Sequence, residues 1–199
     1  VHKRVIFPGA GYIEMARAAA TTVAGSASAL HGVFFLQPLA MEATSLLVVE
    51  CTVADSRFEV RSGGADGACE DAAVHCSGAL ISLVQGPRVD HASVRASVCY
   101  RASGIGALYD GFNAVGLQYG PGYRTLVHAW GGARDALARL RARSTHEGTQ
   151  VHPADLDDAL CTSGAIASNV GDGETRLPFA VDDAQLVGAA GELLAVRWR

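Results

Sequence analysis

Phe7-Pro8-Gly9-Ala10-Gly11-Tyr12-Ile13-Glu14-Met15-Ala16 is the stretch on which the fold turns. Pro8-Gly9 ends whatever precedes it, and Pro and Gly are the strongest local punctuation in a chain. From Ala10 to about Ala24, Ile13, Ala16 and Ala20 recur at helical spacing, with Tyr12, Met15 and Ala19 widening the apolar face. So many small residues predict a helix pressed closely against other backbone.

Around this helix the chain reads mostly as strand. Val1–Phe7 reads as a short strand and turn. Gly32–Leu36 and Ser45–Ala54 are rich in Val, Leu and Phe, and Arg57–Arg61 alternates with Phe58 and Val60 on one face. Ser62–Ala68 reads as a Gly-rich loop, Ala72–Val84 as another strand, and Gln85–His91 as a polar connection. The second half repeats the scheme. Tyr109–Val115 reads as a short helix, Tyr119–Tyr123 as a Gly/Pro turn, Arg124–Trp130 as a strand, and Ala136–Ala142 as a continuing strand whose Ala, Leu and Arg also favour helix. Pro153 opens a second helix, a position proline suits, with Leu156, Ala159, Leu160 and Ser163 as its buried stripe. Leu177–Val181 and Leu193–Trp198 close as strands. One helix with several strands in each half predicts an α+β fold in which a curled antiparallel sheet wraps a central helix.

Composition narrows the function. The 199 residues are 49% hydrophobic and 18% charged, with a net charge of -4, which favours a buried core over disorder. No basic cluster points to nucleic acid. The apolar runs are strand-length, too short to span a bilayer, and no signal peptide is read at Val1. The five cysteines are odd in number and none has CxxC spacing, which predicts a reducing, cytoplasmic setting without disulfides. The seven histidines form no metal-ligand pattern.

Three segments carry more than composition: Phe7 to Ala16, Leu117-Gln118-Tyr119-Gly120-Pro121-Gly122-Tyr123, and His152-Pro153-Ala154-Asp155-Leu156-Asp157-Asp158-Ala159-Leu160. With Gln37-Pro38-Leu39 and Leu177-Pro178-Phe179, and in this order, the chain resembles the dehydratase domains of modular polyketide synthases over nearly its whole length. The resemblance implies a double hotdog fold. Residues 1–86 would form the first unit, 87–95 a linker and 96–199 the second, with one active site between the units. It implies a catalytic His from the first unit and a catalytic Asp from the second. The Asp maps onto Asp157 as general acid. The His does not map. Counting back from Pro8 puts Lys3 at the family's Gly position and the His two positions before Val1, so the base is expected upstream. His2, three residues out of register, is the nearby alternative. Pro8, Gly9, Tyr119, Pro121 and Cys161 are expected to line the substrate site. Cys161 stands where the family has Gln or His. The resemblance further implies an acyl carrier protein partner bearing a phosphopantetheine arm, neighbouring synthase domains, a homodimer, and no cofactor of the domain's own.

Chemistry accounts for such a pair. Removing water from a 3-hydroxyacyl thioester needs a base for the proton beside the carbonyl and an acid for the departing hydroxyl. A neutral His suits the first task. An Asp suits the second only if burial keeps it protonated, since its reference pKa is ~3.9. A helix N-terminus would oppose that by favouring the anion. Backbone N–H groups at Pro8-Gly9-Ala10-Gly11 are placed to polarise the thioester carbonyl. Structural alternatives stand beside each role. Asp155, Asp157 and Asp158 suit the first turn of a helix, His152 suits the loop before it, Tyr119 and Tyr123 suit the core, and Cys161 suits a buried thiol. Competing functions are double-bond migration, oxygen-heterocycle formation, and a degenerate non-catalytic scaffold.

Overall fold

The computed structural model describes residues 4–24, 28–41, 47–64, 72–82, 90–144, 147–166, 177–185 and 195–198. The chain divides into two compact units. One holds residues 3–86 and 177–188, and the other holds 1–2, 87–176 and 189–199.

In the N-terminal unit, helix α1 (Gly9–Ala24) packs on strands β1 (Ser28–Phe35), β2 (Leu47–Ala54), β3 (Arg57–Gly64) and β4 (Ala73–Ser82). Ala10, Tyr12, Ile13, Ala16 and Ala20 form its buried face. Their spacing is the i, i+3, i+4 stripe read from the sequence. Small residues allow the close approach. A Cβ on Gly11 would lie 2.5 Å from the Phe7 ring, and one on Gly9 would lie 3.0 Å from the Phe35 ring. Two aromatic rings therefore account for the Gly-x-Gly pattern.

The antiparallel sheet runs β2-β3-β4-β1-β8, where β8 is Ala180–Ala184. Along β3, Phe58, Val60 and Ser62 face inward in strict alternation. Asp55 and Ser56, both at positive φ, close the two-residue hairpin from β2 to β3, as the twist of such hairpins demands. Strand β1 breaks its alternation at Gly32, whose φ is +54°. The register shifts between His31 and Phe34, so Leu30 and Val33, three residues apart, are both buried.

In the C-terminal unit the sheet runs β5-β6-β7-β9, from Arg101–Ser103, Leu126–Gly131, Ala136–Leu140 and Ala195–Trp198. Its two faces are covered separately. Helix α2 (His91–Ser97) lies on one face, where Val94, Cys99 and Leu137 pack with Val98 and Trp130. On the other face Leu126, Ala129, Ala136, Ala138 and Leu140 pack with Tyr109 of helix α3 (Ile105–Ala114) and with Ala165. Helix α4 (Pro153–Cys161) packs on β7 and on the 3-10 turn Pro121–Tyr123.

Several expectations are corrected. The second unit is not a continuous 96–199, because β8 pairs with β1. The fifth strand of the N-terminal sheet thus comes from Ala180–Ala184, which follows α4 in the chain. The expected linker 87–95 contains the start of α2. Asp90 caps that helix by accepting from Ala92 N at 3.0 Å and Ser93 Oγ at 2.6 Å. Among the described residues, the C-terminal unit holds three α-helices: those expected near Tyr109–Val115 and from Pro153, and α2, which was not expected. Strand β3 continues through Ser62–Gly64 into the expected loop, and the strand expected at Leu177–Val181 starts at Ala180, leaving Leu177 and Phe179 exposed.

Gly131 is the tightest point of the C-terminal sheet. A Cβ there would lie 1.7 Å from the Ala165 carbonyl oxygen, which also accepts from Arg101 Nη2 at 2.8 Å. Because that contact is with backbone, neither side can yield cheaply. Gly131→Ala is expected to cost about 2–4 kcal/mol, read as a lower midpoint in thermal or urea unfolding. An unchanged midpoint would refute the close approach.

Candidate active site

Helix α4 starts cleanly. His152 caps it, with Nδ1 accepting from Ala154 N at 3.1 Å, and Pro153 occupies the first turn. The His152 Nε2 lies 3.5 Å from Glu147 Oε2. His152 therefore shapes the helix entry, the structural role expected of it.

The buried stripe of α4 differs from the apolar one read in sequence. Leu156, Leu160 and Ser163 are only half-buried, and of the expected set Ala159 alone is buried. The buried line runs through Val151, Ala154, Asp155, Asp158, Cys161, Thr162 and Ala165. Two carboxylates can lie there because each meets partners inside. Arg143 Nε donates to Asp155 Oδ1 at 2.6 Å, and Arg143 Nη2 donates to Gly122 O at 2.8 Å. One guanidinium thus ties α4 to the turn Pro121–Tyr123. Asp158 is 0% exposed. Its Oδ1 accepts from Tyr109 Oη at 2.6 Å, and its Oδ2 accepts from Thr125 Oγ1 at 2.6 Å and from Thr125 N. Buried polar groups need such partners, since an unmet one costs the full desolvation penalty.

Asp157 sits beside this line, half-buried. Burial, and then the neighbouring Asp158 charge, push its carboxyl up to about 7. Tyr119, Tyr123 and Cys161 all sense the Asp157 charge, so the turn and α4 bring these four side chains together. Cys161 follows Asp157 by one helical turn, on the same side of the helix. Its thiol and the Tyr119 hydroxyl influence each other, and burial holds the Cys161 thiol well above the usual thiol range. A protonated, buried thiol is no nucleophile. Tyr119 also packs edge-on against Tyr109 at 6.0 Å and Phe112 at 5.6 Å. It is both a core ring and a hydroxyl aimed at Cys161. Pro121 opens the 3-10 turn and is exposed.

Pro8 and Gly9 belong to the other unit, at the start of α1. There Gly11 N donates to Pro8 O at 2.8 Å, so that N–H is not open to a substrate carbonyl, contrary to its expected part. His2 and Lys3 lie outside the described residues.

Sequence reasoning missed Tyr109, Thr125 and Arg143. The partners lie 12 to 49 positions from their aspartates, and no local spacing announces them. The one available signal was three carboxylates crowded into a short helix with apolar neighbours. Among the described residues, no group of His, Cys, Asp and Glu is arranged to hold a metal ion, and no helix is long and apolar enough to cross a membrane.

Comparison with known proteins places this geometry. Residues 87–198 match the family model described as polyketide synthase dehydratase N-terminal domain, and residues 1–63 match the one described as polyketide synthase dehydratase domain. Polyketide synthase PksN of Bacillus subtilis is 27% identical over 199 residues, covering 92% of this chain and 4% of the relative. The chain thus spans only a small fraction of the curated relatives it matches. A dehydratase domain of a trans-AT polyketide synthase from Brevibacillus brevis is 25% identical with a TM-score of 0.79, covering 99% of this chain and 74% of that one. The dehydratase domain from the CurK module of the curacin synthase matches in fold, at 22% identity and a TM-score of 0.78, over 99% of this chain and 72% of its own. Variants of CurK with a histidine or an aspartate replaced are described as inactive. These neighbours fit an α+β double hotdog. With a family model matching more than half of its length, the chain belongs to the polyketide synthase dehydratase family.

Proposed function

We propose that this domain removes water from a 3-hydroxyacyl thioester carried on an acyl carrier protein, giving the 2,3-enoyl thioester during polyketide extension. The observation that carries the proposal is Asp157, a half-buried carboxyl pushed up to about 7 in the His-Pro-x-x-x-Asp context. Hydroxide leaves poorly, so the departing hydroxyl needs a proton. A carboxyl that holds its proton near neutral pH supplies one.

Asp157 is the acid. The base is expected to be a histidine outside the described residues, and the inactive CurK variants, one at a histidine and one at an aspartate, support such a pair. Tyr119 and Tyr123 lie near enough to the carboxyl to sense its charge. The elimination moves two protons and leaves the net oxidation state unchanged, so it calls for no redox cofactor. The phosphopantetheine arm belongs to the carrier. Membership of a cytoplasmic, homodimeric synthase is part of the same reading.

The direct test is to offer the domain, within its synthase module, a 3-hydroxyacyl carrier protein and follow loss of water by mass spectrometry. No loss of water from a folded module would sink the proposal. The acid must be protonated, so kcat/KM is expected to fall as pH rises through about 7. A profile flat from pH 6 to 9 would remove Asp157 from the role.

The same carboxyl makes a stability prediction. Its folded pKa is raised above the unfolded 3.8, so between those values the folded state binds more protons. Stability therefore declines as pH rises from about 4 through 7, and the full cost, about 4 kcal/mol, is present above that window. Asp157→Asn is expected to lower turnover by about 10²–10⁴ while melting higher than the parent at pH 8, with little difference at pH 4. A variant that melts lower at pH 8 would show that the carboxyl is not under strain.

A further inference from the structure

Two adjacent carboxyls on α4 live in opposite surroundings. Asp158 is fully buried and receives three hydrogen bonds, from Tyr109 Oη, Thr125 Oγ1 and Thr125 N. Burial, with a smaller push from the Asp155 charge, leaves its carboxyl raised, and the three donors limit that rise by favouring the anion. Among the described residues, no hydrogen bond reaches the Asp157 carboxyl. Cys161, one turn along, is a thiol held protonated by burial, at best a weak donor. The two carboxyls belong to successive residues, and after burial the Asp158 charge is the second influence that favours the proton on Asp157. Where environments split a carboxyl pair, the member with more hydrogen-bond donors carries the charge and the other carries the proton.

We propose that Asp158, clamped by Tyr109 and Thr125, is a positioning residue whose fixed negative charge keeps the proton on Asp157 and whose clamp holds α4 in place. This rests on the proposed dehydration and names a second carboxylate that the reaction depends on. The other charged groups nearby are already committed. Asp155, on the same helix, is neutralised by Arg143. Arg124 lies over the Tyr109 ring, 5.2 Å from its centre, and donates through Nε to Tyr119 O. His152 faces the helix start and Glu147. Tyr119 and Tyr123, from the turn, are held protonated, first by burial and then by the nearby carboxylate charge. Strand β7 presents Ala136, Ala138 and Leu140. Asp158 is therefore the uncancelled charge beside Asp157 among the described residues.

The decisive measurement is a carboxyl titration by ¹³C NMR on the aspartate-labelled domain, with the Asp157 signal assigned by its loss in Asp157→Asn. Removing the neighbouring charge in Asp158→Asn should let Asp157 release its proton about one pH unit lower, roughly tenfold in proton affinity. The alkaline limb of kcat/KM should move with it, so that the loss at pH 8 exceeds the loss at pH 6 by about fivefold. Tyr109→Phe is the second variant, for the case where the buried amide prevents folding. It removes one donor from Asp158, draws a proton toward that carboxyl, and should move the Asp157 titration in the same direction. A merely structural Asp158 would lower the melting temperature in both variants and leave the titration in place. An unmoved Asp157 signal in a folded variant overturns the proposal. Because the titration needs no turnover, it decides this point even if the module fails to dehydrate a carrier-bound substrate.

Discussion

A carboxylate sealed from water must be met by donors, and in the C-terminal unit that requirement falls on Asp158. Its three donors come from α3 and from the residue that leads into β6. One side chain therefore ties a helix, a strand and α4 together. The tie is directional in a way that apolar packing is not, since a hydrogen bond weakens steeply with angle. Arg143 does similar work at the first turn of α4, joining Asp155 to the backbone of Gly122. The helix bearing Asp157 is thus held at two points by polar contacts, and its apolar neighbours fill the space between. Precise placement of a proton donor requires supporting contacts of this kind.

The two units solve the problem of close packing with different means. In the N-terminal unit, alanines and glycines on α1 let the helix lie close to Phe7, Phe35 and the strands beneath. In the C-terminal unit the closeness lies between strand and turn, where Gly131 and Gly132 face the carbonyls of Ala165 and Val98. A methyl at either glycine would meet backbone, not a flexible side-chain tip. Interiors packed near crystal density leave little room for such a change.

Much of this was legible in the chain. The stripe on α1, the alternation of Phe58 and Val60, the turn at Tyr119–Tyr123 and the helix opening at Pro153 follow from local periodicity and punctuation, and local rules govern them. What was not legible depends on distant partners. The apolar stripe Leu156, Ala159, Leu160 and Ser163 is a reasonable reading of α4, yet the helix is turned so that Asp155 and Asp158 go inside, because Arg143, Thr125 and Tyr109 wait there. The candidate site divides in the same way. Asp157 could be named from its motif context. The environment that gives it chemical character is set by residues with no motif of their own. The strand β8 was read as the close of the second unit because order in sequence suggests order in space. Its pairing with β1 instead is a long-range choice.

That pairing has a consequence for how the protein is made. The edge of the N-terminal sheet beside β1 is supplied by Ala180–Ala184, so as the chain is synthesised the first sheet stays one strand short until nearly all of the second unit has been made. For that interval β1 presents open backbone donors and acceptors, a template for pairing with a neighbouring chain. A cut near residue 86 would make that condition permanent. The two units are distinct in their cores but form one piece in their covalent logic: the second half of the sequence carries every strand of its own sheet and also the strand that finishes the first.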